Sequence, residues 1–428
     1  MSRLNCPAQP RQIIALGSLL TLLPVTILQQ QHLPLTDVLA ARIEAGDFPS
    51  AVYHVAERGR VRFCDALGHA VREPREVRAT AETIYDLASL TKPLVTGLLC
   101  ARRVERGEIE LDAPVADYLG EFGRGAHRAA TVRQLLTHTS GLPAWRPLRA
   151  LTGDRRERTL ETIAALPREY EPCSKVIYSD LGFITLGLLI ERCAGTTLAE
   201  LARREIFAPL ELSRTFFNPA AALQTEVAAC ELSGNSYERE MCRAGDDAAA
   251  ADSVAWREQP IWGEVHDGNA YFLAGEAGHA GLFSTGHETV RLAEQFLAAR
   301  TALLRPATCE LFRTNMTARV NEARSFAWQL AATPESTAGT ALPPDGFGHL
   351  GFTGTSCWID PVRERVFVLL TNRTHTRKLP FVNINSVRRQ FHTLAAAALD
   401  GAQSREGVDA ETVQGGDAGA RGRGGAGI

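Results

Sequence analysis

Hydrophobic spacing divides the chain into strand-bearing ends and a helical middle. In "LTDVLAARIEAGDFP" the apolar residues Leu35, Val38, Leu39 and Ile43 recur at helical spacing, and Gly46 and Pro49 close the run. "SAVYHVAERGRVRFCDALG" then alternates as two strands that turn at Glu57-Arg58-Gly59. From about Leu90 to Ala222 the period becomes helical, in "VTGLLCARRVERG", "TVRQLLTHTSG", "ERTLETIAALP", "LGFITLGLLIERCAG" and "TLAELARREIF", with glycine or proline at nearly every joint. After the glycine-rich "GNAYFLAGEAGHAGLFST" comes the helix "HETVRLAEQFLAAR". Strands follow in "SFAWQLAA" and "TSCWIDPVRERVFVLLTN", the latter turning between Asp360-Pro361 and Arg365, and a last helix is read in "NINSVRRQFHTLAAAAL".

Strands at both ends with helices between predict an α/β (α+β) architecture: one antiparallel sheet built from both chain ends, flanked by helices, with a mainly helical domain inserted. The expected bounds are 35–89 and 255–399 for the sheet part and 90–254 for the helical part. Residues 1–34 read as an extension and 400–428, rich in glycine and alanine, as a disordered tail. A cleft is expected where the two parts meet.

The extension carries an apolar run from Ile13 to Leu28 behind Arg3 and Arg11. It is shorter than the roughly 20 residues of a membrane helix, is interrupted by Pro24 and lacks an A-x-A-like cleavage site, so a signal or anchor and a surface helix both stay open. The compartment stays open with it, the cytoplasm favoured, and membrane association is expected only if this run is an anchor. A net charge of −3, with arginines and acids mixed along the chain, argues against a nucleic-acid partner. Nine cysteines without a CxxC pair suggest reduced, packed thiols rather than a metal ribbon; Cys230 and Cys242, flanking a polar loop, are the candidate disulfide.

Only three lysines occur, at 92, 175 and 378, and Lys92 stands three residues after Ser89 at the start of an apolar helix. On a helix that spacing puts the ammonium one turn from the hydroxyl, with Pro93 tolerated in the first turn. The helix N-terminus adds free N–H groups suited to an oxyanion. With 17 serines and three lysines, chance predicts only about 0.12 such S-x-x-K pairings.

Three motifs in order, Ser89-x-x-Lys92, Tyr178-Ser179-Asp180 and Thr353-Gly354-Thr355, resemble those of the serine β-lactamase and penicillin-binding-protein superfamily, nearest its class C β-lactamase, D-aminopeptidase and carboxylesterase branch. "LLTHTSGLP", Leu135 to Pro143, resembles a stretch of the same branch, and the likeness runs from about Leu35 to Leu399. It implies the sheet-plus-helical-domain fold, catalysis by Ser89, Lys92 and Tyr178 without a cofactor or metal, and an oxyanion hole of the Ser89 and Thr355 N–H groups. Two positions depart from the pattern. Phe352 stands where the lactamases carry a lysine that holds a substrate carboxylate, and Asp180 stands where asparagine is usual, so an anionic substrate is disfavoured. A carboxylate at 180 would also keep Lys92 charged, since a neutral lysine at pH 7 requires a fall of about 3 pKa units, roughly 4 kcal/mol. On that reading Lys92 lowers the pKa of Tyr178, which takes the Ser89 proton.

Asp180, His349, Phe352, Thr353 and Gly354 are the expected substrate-side residues. Thr353 is expected to orient substrate or the cluster, and His349 to stand either at the cleft rim or facing solvent. His266, Asp267 and His279, gathered with Asn269 among glycines, are expected to line the cleft; their spacing is not that of a helix-borne metal motif. His138 reads as a loop-fixing residue. The expected activity is hydrolysis of a small ester or amide through an acyl-enzyme on Ser89. A D-amino-acid peptidase or amidase on peptidoglycan-type substrates, a β-lactamase and a non-catalytic binding protein are the alternatives.

Overall fold

The computed structural model describes residues 34–245 and 247–416. Its strands are β1 (Ser50–Glu57), β2 (Arg60–Val71), β3 (Val77–Arg78), β4 (Tyr85–Asp86), β5 (Phe216–Phe217), β6 (Leu282–Ser284), β7 (Gln329–Leu330), β8 (Phe347–Leu350), β9 (Ser356–Asp360) and β10 (Arg365–Thr371). Seven of them form an antiparallel sheet in the order β3-β2-β1-β10-β9-β8-β7, so the two chain ends meet at the β1–β10 pair. The turn after β1 has Arg58 at φ 52° and Gly59 at φ 78°, two left-handed residues as a twisted two-residue hairpin requires. Asp360 fixes the turn after β9 by accepting from the N–H groups of Val362 and Arg363.

Period-2 alternation sorts the central strands between two cores. Ala51, Tyr53, Val55, Phe367 and Leu369 face α1 (Pro34–Glu44) and the C-terminal helix, meeting Leu35, Leu39, Val387 and Phe391. Val52, Ala56, Val366, Val368 and Leu370 join the larger core under the helical part. That part contains α2 (Leu98–Glu105), α3 (Asp180–Ala194) and α4 (Ser236–Ala244), and α5 (Gly286–Ala293) lies on the same face of the sheet. The last helix, α6 (Asn385–Gly416), runs beyond Leu399. The described helix thus extends past the expected start of the tail at 400, and Asp400 pairs with the buried Arg365 at 2.7 Å. Residues 417–428 and the apolar run 13–28 lie outside the described residues. Among those described, no single helix is long and apolar enough to cross a membrane.

One element had no signal in the pattern. β4, β6 and β5 form a small second sheet whose strands are two or three residues long, too short for alternation to mark. It fixes the approach to Ser89. α3 begins at Ser179, whose hydroxyl accepts from Gly182 N–H, and ends at Gly195 with φ 65°. It packs backbone to backbone on the glycine-rich segment: a Cβ at Gly278 would stand 2.1 Å from the Phe183 carbonyl and 2.9 Å from Gly187. Gly278→Ala should therefore force α3 and this segment apart and destabilise the fold by about 1–3 kcal/mol, read from urea unfolding. An unchanged midpoint would mean that the contact yields without cost.

Candidate active site

Ser89 lies in a short 3₁₀ turn, Ala88–Leu90, directly after β4. Ala88 sits at φ 48°, a left-handed conformation that costs an L-residue energy and persists only under external restraint. The restraint is Asp86. Its buried carboxylate accepts from Ala88 N–H and from His266 N–H, both at 2.8 Å, and its carbonyl accepts from the Thr353 hydroxyl at 2.8 Å. The Thr355 hydroxyl donates to the next carbonyl, Leu87, at 3.0 Å. Two threonines of the C-terminal half thereby hold the segment that presents Ser89, which itself is only half-buried.

Lys92 opens a π-helical turn, Lys92–Gly97, that continues into α2, and is fully buried. Its Nζ lies 3.0 Å from Ser89 Oγ, 3.0 Å from the His279 carbonyl and 2.6 Å from Asp180 Oδ1. An ammonium has three N–H donors, and these are three acceptors. Burial alone would lower the lysine's pKa, but Asp180 and Tyr178 outweigh it and hold Lys92 above its ordinary value of 10.5. That direction is the one expected from a carboxylate at 180.

At Tyr178, burial, joined by the Asp180 charge, raises the phenol's pKa against the lowering influence of Lys92 and Ser89, so the net shift runs opposite to the expected lowering. Lys92 stands 4.8 Å from the Tyr178 ring centre. The His138 ring packs 4.5 Å from it and the His349 ring 5.7 Å. Burial, with the Arg324 and Lys92 charges, keeps both imidazoles well below the usual histidine pKa, so they are neutral walls. His138 fixes its loop as read, at φ 58°, with Nδ1 accepting from Ser179 N–H. His349 is buried and donates Nδ1–H to the Leu350 carbonyl, so it faces neither rim nor solvent.

Other expected residues sort by what they touch. The Thr353 hydroxyl donates to the Asp86 carbonyl. Gly354 is required: it has φ 117°, and a Cβ there would meet Thr371 Oγ1 at 2.0 Å. Phe352 joins Tyr237, His266 and Phe381 at ring distances of 5.1, 5.6 and 5.7 Å, with the Arg373 guanidinium 4.8 Å from its face, so an apolar wall occupies this position. Asp180 is committed to Lys92 before any substrate arrives. His266 Nε2 pairs with Glu231 at 3.0 Å. Asp267 pairs with His279 at 2.8 Å; burial would raise its carboxyl, but the imidazole holds it well below the usual range. His279 contributes its carbonyl to Lys92 rather than its ring. Cys230 and Cys242 are both buried free thiols, so the candidate disulfide does not form; burial raises the pKa of each. Among the described residues no group of three or more histidines, cysteines or acids is placed to hold a metal ion.

Asp86, Glu231 and Arg324 were missed. Each acts through contacts distant in sequence, such as Asp86 with His266 and Glu231 with His266, and no local spacing announces them.

A half-buried serine on a strained turn, bonded to a buried charged lysine at the junction of sheet and helical part, is the arrangement of a serine hydrolase of the acyl-transfer kind. The family model Beta-lactamase matches residues 35–388, and the chain belongs to that family. A relative from Escherichia coli (strain K12), named "Putative D-alanyl-D-alanine carboxypeptidase", is 30% identical over 365 residues, covering 79% of this chain and 81% of the relative. Among solved structures, "EstCE1, a hydrolase with promiscuous acyltransferase activity" superposes with a TM-score of 0.63 at 22% identity, covering 84% of this chain and 97% of that one. A class C β-lactamase from Rhodobacter sphaeroides does so with a TM-score of 0.63 at 19% identity, covering 85% and 99%. These likenesses are of fold.

Asp180→Asn removes the main influence that keeps Lys92 charged while preserving the shape of the α3 start. At pH 7 the labelling of Ser89 by a fluorophosphonate should slow by about 10²–10⁴-fold if the carboxylate serves as proton acceptor. Burial then lowers the lysine's pKa against Tyr178 alone, so the lost rate should return as pH rises and the amine becomes neutral. A rate within about threefold of wild type at pH 7 would remove Asp180 from the proton path.

Proposed function

We propose that this protein is a metal-independent serine hydrolase that forms an acyl-enzyme on Ser89 of the S-x-x-K motif and turns over small, neutral esters or amides. The observation that carries this reading is the 3.0 Å contact between Ser89 Oγ and the fully buried Lys92 Nζ, with Asp180 2.6 Å beyond it. Proton transfer from Lys92 to Asp180 turns the ion pair into a neutral pair and leaves an amine beside the hydroxyl. As Ser89 Oγ attacks the carbonyl carbon, its proton passes to that amine. The Ser89 and Thr355 N–H groups receive the oxyanion.

Tyr178 then acts from the acid side. The phenol, packed against Lys92, donates its proton to the departing alkoxide or amine, which leaves as the neutral alcohol or amine while the carbonyl reforms. Water hydrolyses the ester at Ser89 by the reverse proton path.

A second reading, release of terminal D-alanine from a peptidoglycan-type peptide, is favoured by the name of the 30%-identical relative. Efficient liberation of D-alanine from a D-alanyl-D-alanine peptide, with little hydrolysis of p-nitrophenyl esters, would put it first.

Intact mass after fluorophosphonate treatment should show one adduct in wild type and none in Ser89→Ala; no adduct on folded wild-type protein would remove Ser89 as nucleophile. Tyr178→Phe should cost about 10²–10⁴ in kcat/KM with an alkyl-alcohol leaving group and far less with p-nitrophenoxide, which departs without a proton. Equal losses on both would return Tyr178 to the role of base or support.

A further inference from the structure

His138 is joined to the Tyr178-Ser179-Asp180 motif by two bonds that bracket Tyr178. Its carbonyl accepts from Ile177 N–H at 3.0 Å, and its Nδ1 accepts from Ser179 N–H at 3.0 Å. The second bond fixes the peptide between Tyr178 and Ser179, and so governs where the phenol and the Asp180 carboxylate leave the chain. The residue is 1% exposed, and its ring packs 4.5 Å from the Tyr178 ring and 5.1 Å from that of Phe183.

Only the neutral imidazole can make this bond. With Nδ1 accepting, the ring proton sits on Nε2, which is buried without a hydrogen-bonding partner. A second proton can go only to Nδ1, where it would face the Ser179 N–H, donor against donor. The surroundings oppose that proton. Burial comes first, then the Arg324 and Lys92 charges with His349 behind them, and together they hold the ring well below the usual histidine pKa. The other titratable groups on this side are Tyr178 itself, Tyr170, whose hydroxyl donates to the His138 carbonyl at 2.9 Å, and Asp180, which is paired with Lys92.

Arg324 is 5% exposed. One of its terminal nitrogens pairs with Glu322 at 2.6 Å, Nε and the other are buried without partners, and the guanidinium lies 5.6 Å from the Tyr178 ring centre. Idle donors on a buried cation are costly, so its charge rather than its hydrogen bonds accounts for its position.

We propose that His138 is a positioning residue for acylation: its bare Nδ1 latches the Tyr178–Asp180 segment in register with Ser89 and Lys92, and Arg324 keeps a proton off that latch. This rests on the acyl-enzyme reading and adds to it an acid limit set outside Ser89, Lys92 and Asp180. As pH falls and Nδ1 takes a proton, the segment loses its anchor, and the phenol and the carboxylate shift away from the nucleophile together.

The test follows the rate at which a fluorophosphonate labels Ser89 on the full chain between about pH 8 and pH 5. Each variant is scaled to its own rate at the alkaline end, so a general weakening cancels. Arg324→Met removes the charge, keeps an apolar side chain in the space and leaves Glu322 its bond from Gln329 at 2.6 Å. The latch then takes its proton at higher pH, and the variant should lose about tenfold more rate than wild type on the acid side. His138→Asn suits φ 58° and offers Oδ1 where Nδ1 stood, without titrating. In the double variant, His138→Asn with Arg324→Met, the extra acid loss should vanish. An Arg324→Met profile that overlays wild type overturns the proposal. So does an acid loss that persists in the double variant, which would assign it to His349 or Asp180. Wild-type protein left unlabelled at every pH overturns the acyl-enzyme reading and the latch's role with it.

Discussion

The site depends on burying one lysine charge. An ammonium removed from water costs several kcal/mol unless its donors and its charge are met, and here Ser89 Oγ, the His279 carbonyl and Asp180 meet them. Each acceptor comes from a different part of the chain, so the requirement of one side chain fixes the relative placement of the Ser89 turn, the glycine-rich segment and the start of α3. The bare Gly187–Gly278 contact follows from this, because any side chain there would lift the His279 carbonyl off Lys92. The threonine staples on Asp86 and Leu87 follow as well, since a strained turn holds its shape only under restraint.

How much of this was legible varied with the range of the interaction. The two-ended sheet could be read because β1 and β10 alternate and both hairpins carry turn residues. The Ser89–Lys92 pair could be read because helical spacing is local, and the charged state of Lys92 followed from finding an acid at 180. Position alone could not give the balance at Tyr178, where burial and the Asp180 charge act against Lys92 and Ser89. Nor could it reveal that Thr353 and Asp180 have partners within the protein, because Asp86 and Lys92 lie far away in sequence. The small sheet of β4, β5 and β6 was invisible for the opposite reason: its strands are too short to show a period.

The departures at 180 and 352 form one arrangement. Asp180 gives the lysine a charged partner, and at 352 a ring stands in place of a lysine while the Arg373 guanidinium lies 4.8 Å from its face. Neutral His138 and His349 extend the same logic around Tyr178, walling the phenol without competing for its proton.

The β1–β10 junction also has a consequence for how the chain is made. The Ser50 N–H and hydroxyl bond to Asn372, 322 residues away, and the staples on the Ser89 turn come from Thr353 and Thr355. At roughly 5–20 residues per second, a ribosome needs on the order of tens of seconds to cover that interval. Throughout that time Ser89 exists without the threonines that shape its turn. The turn that presents Ser89 is therefore completed only when the C-terminal strands close the sheet.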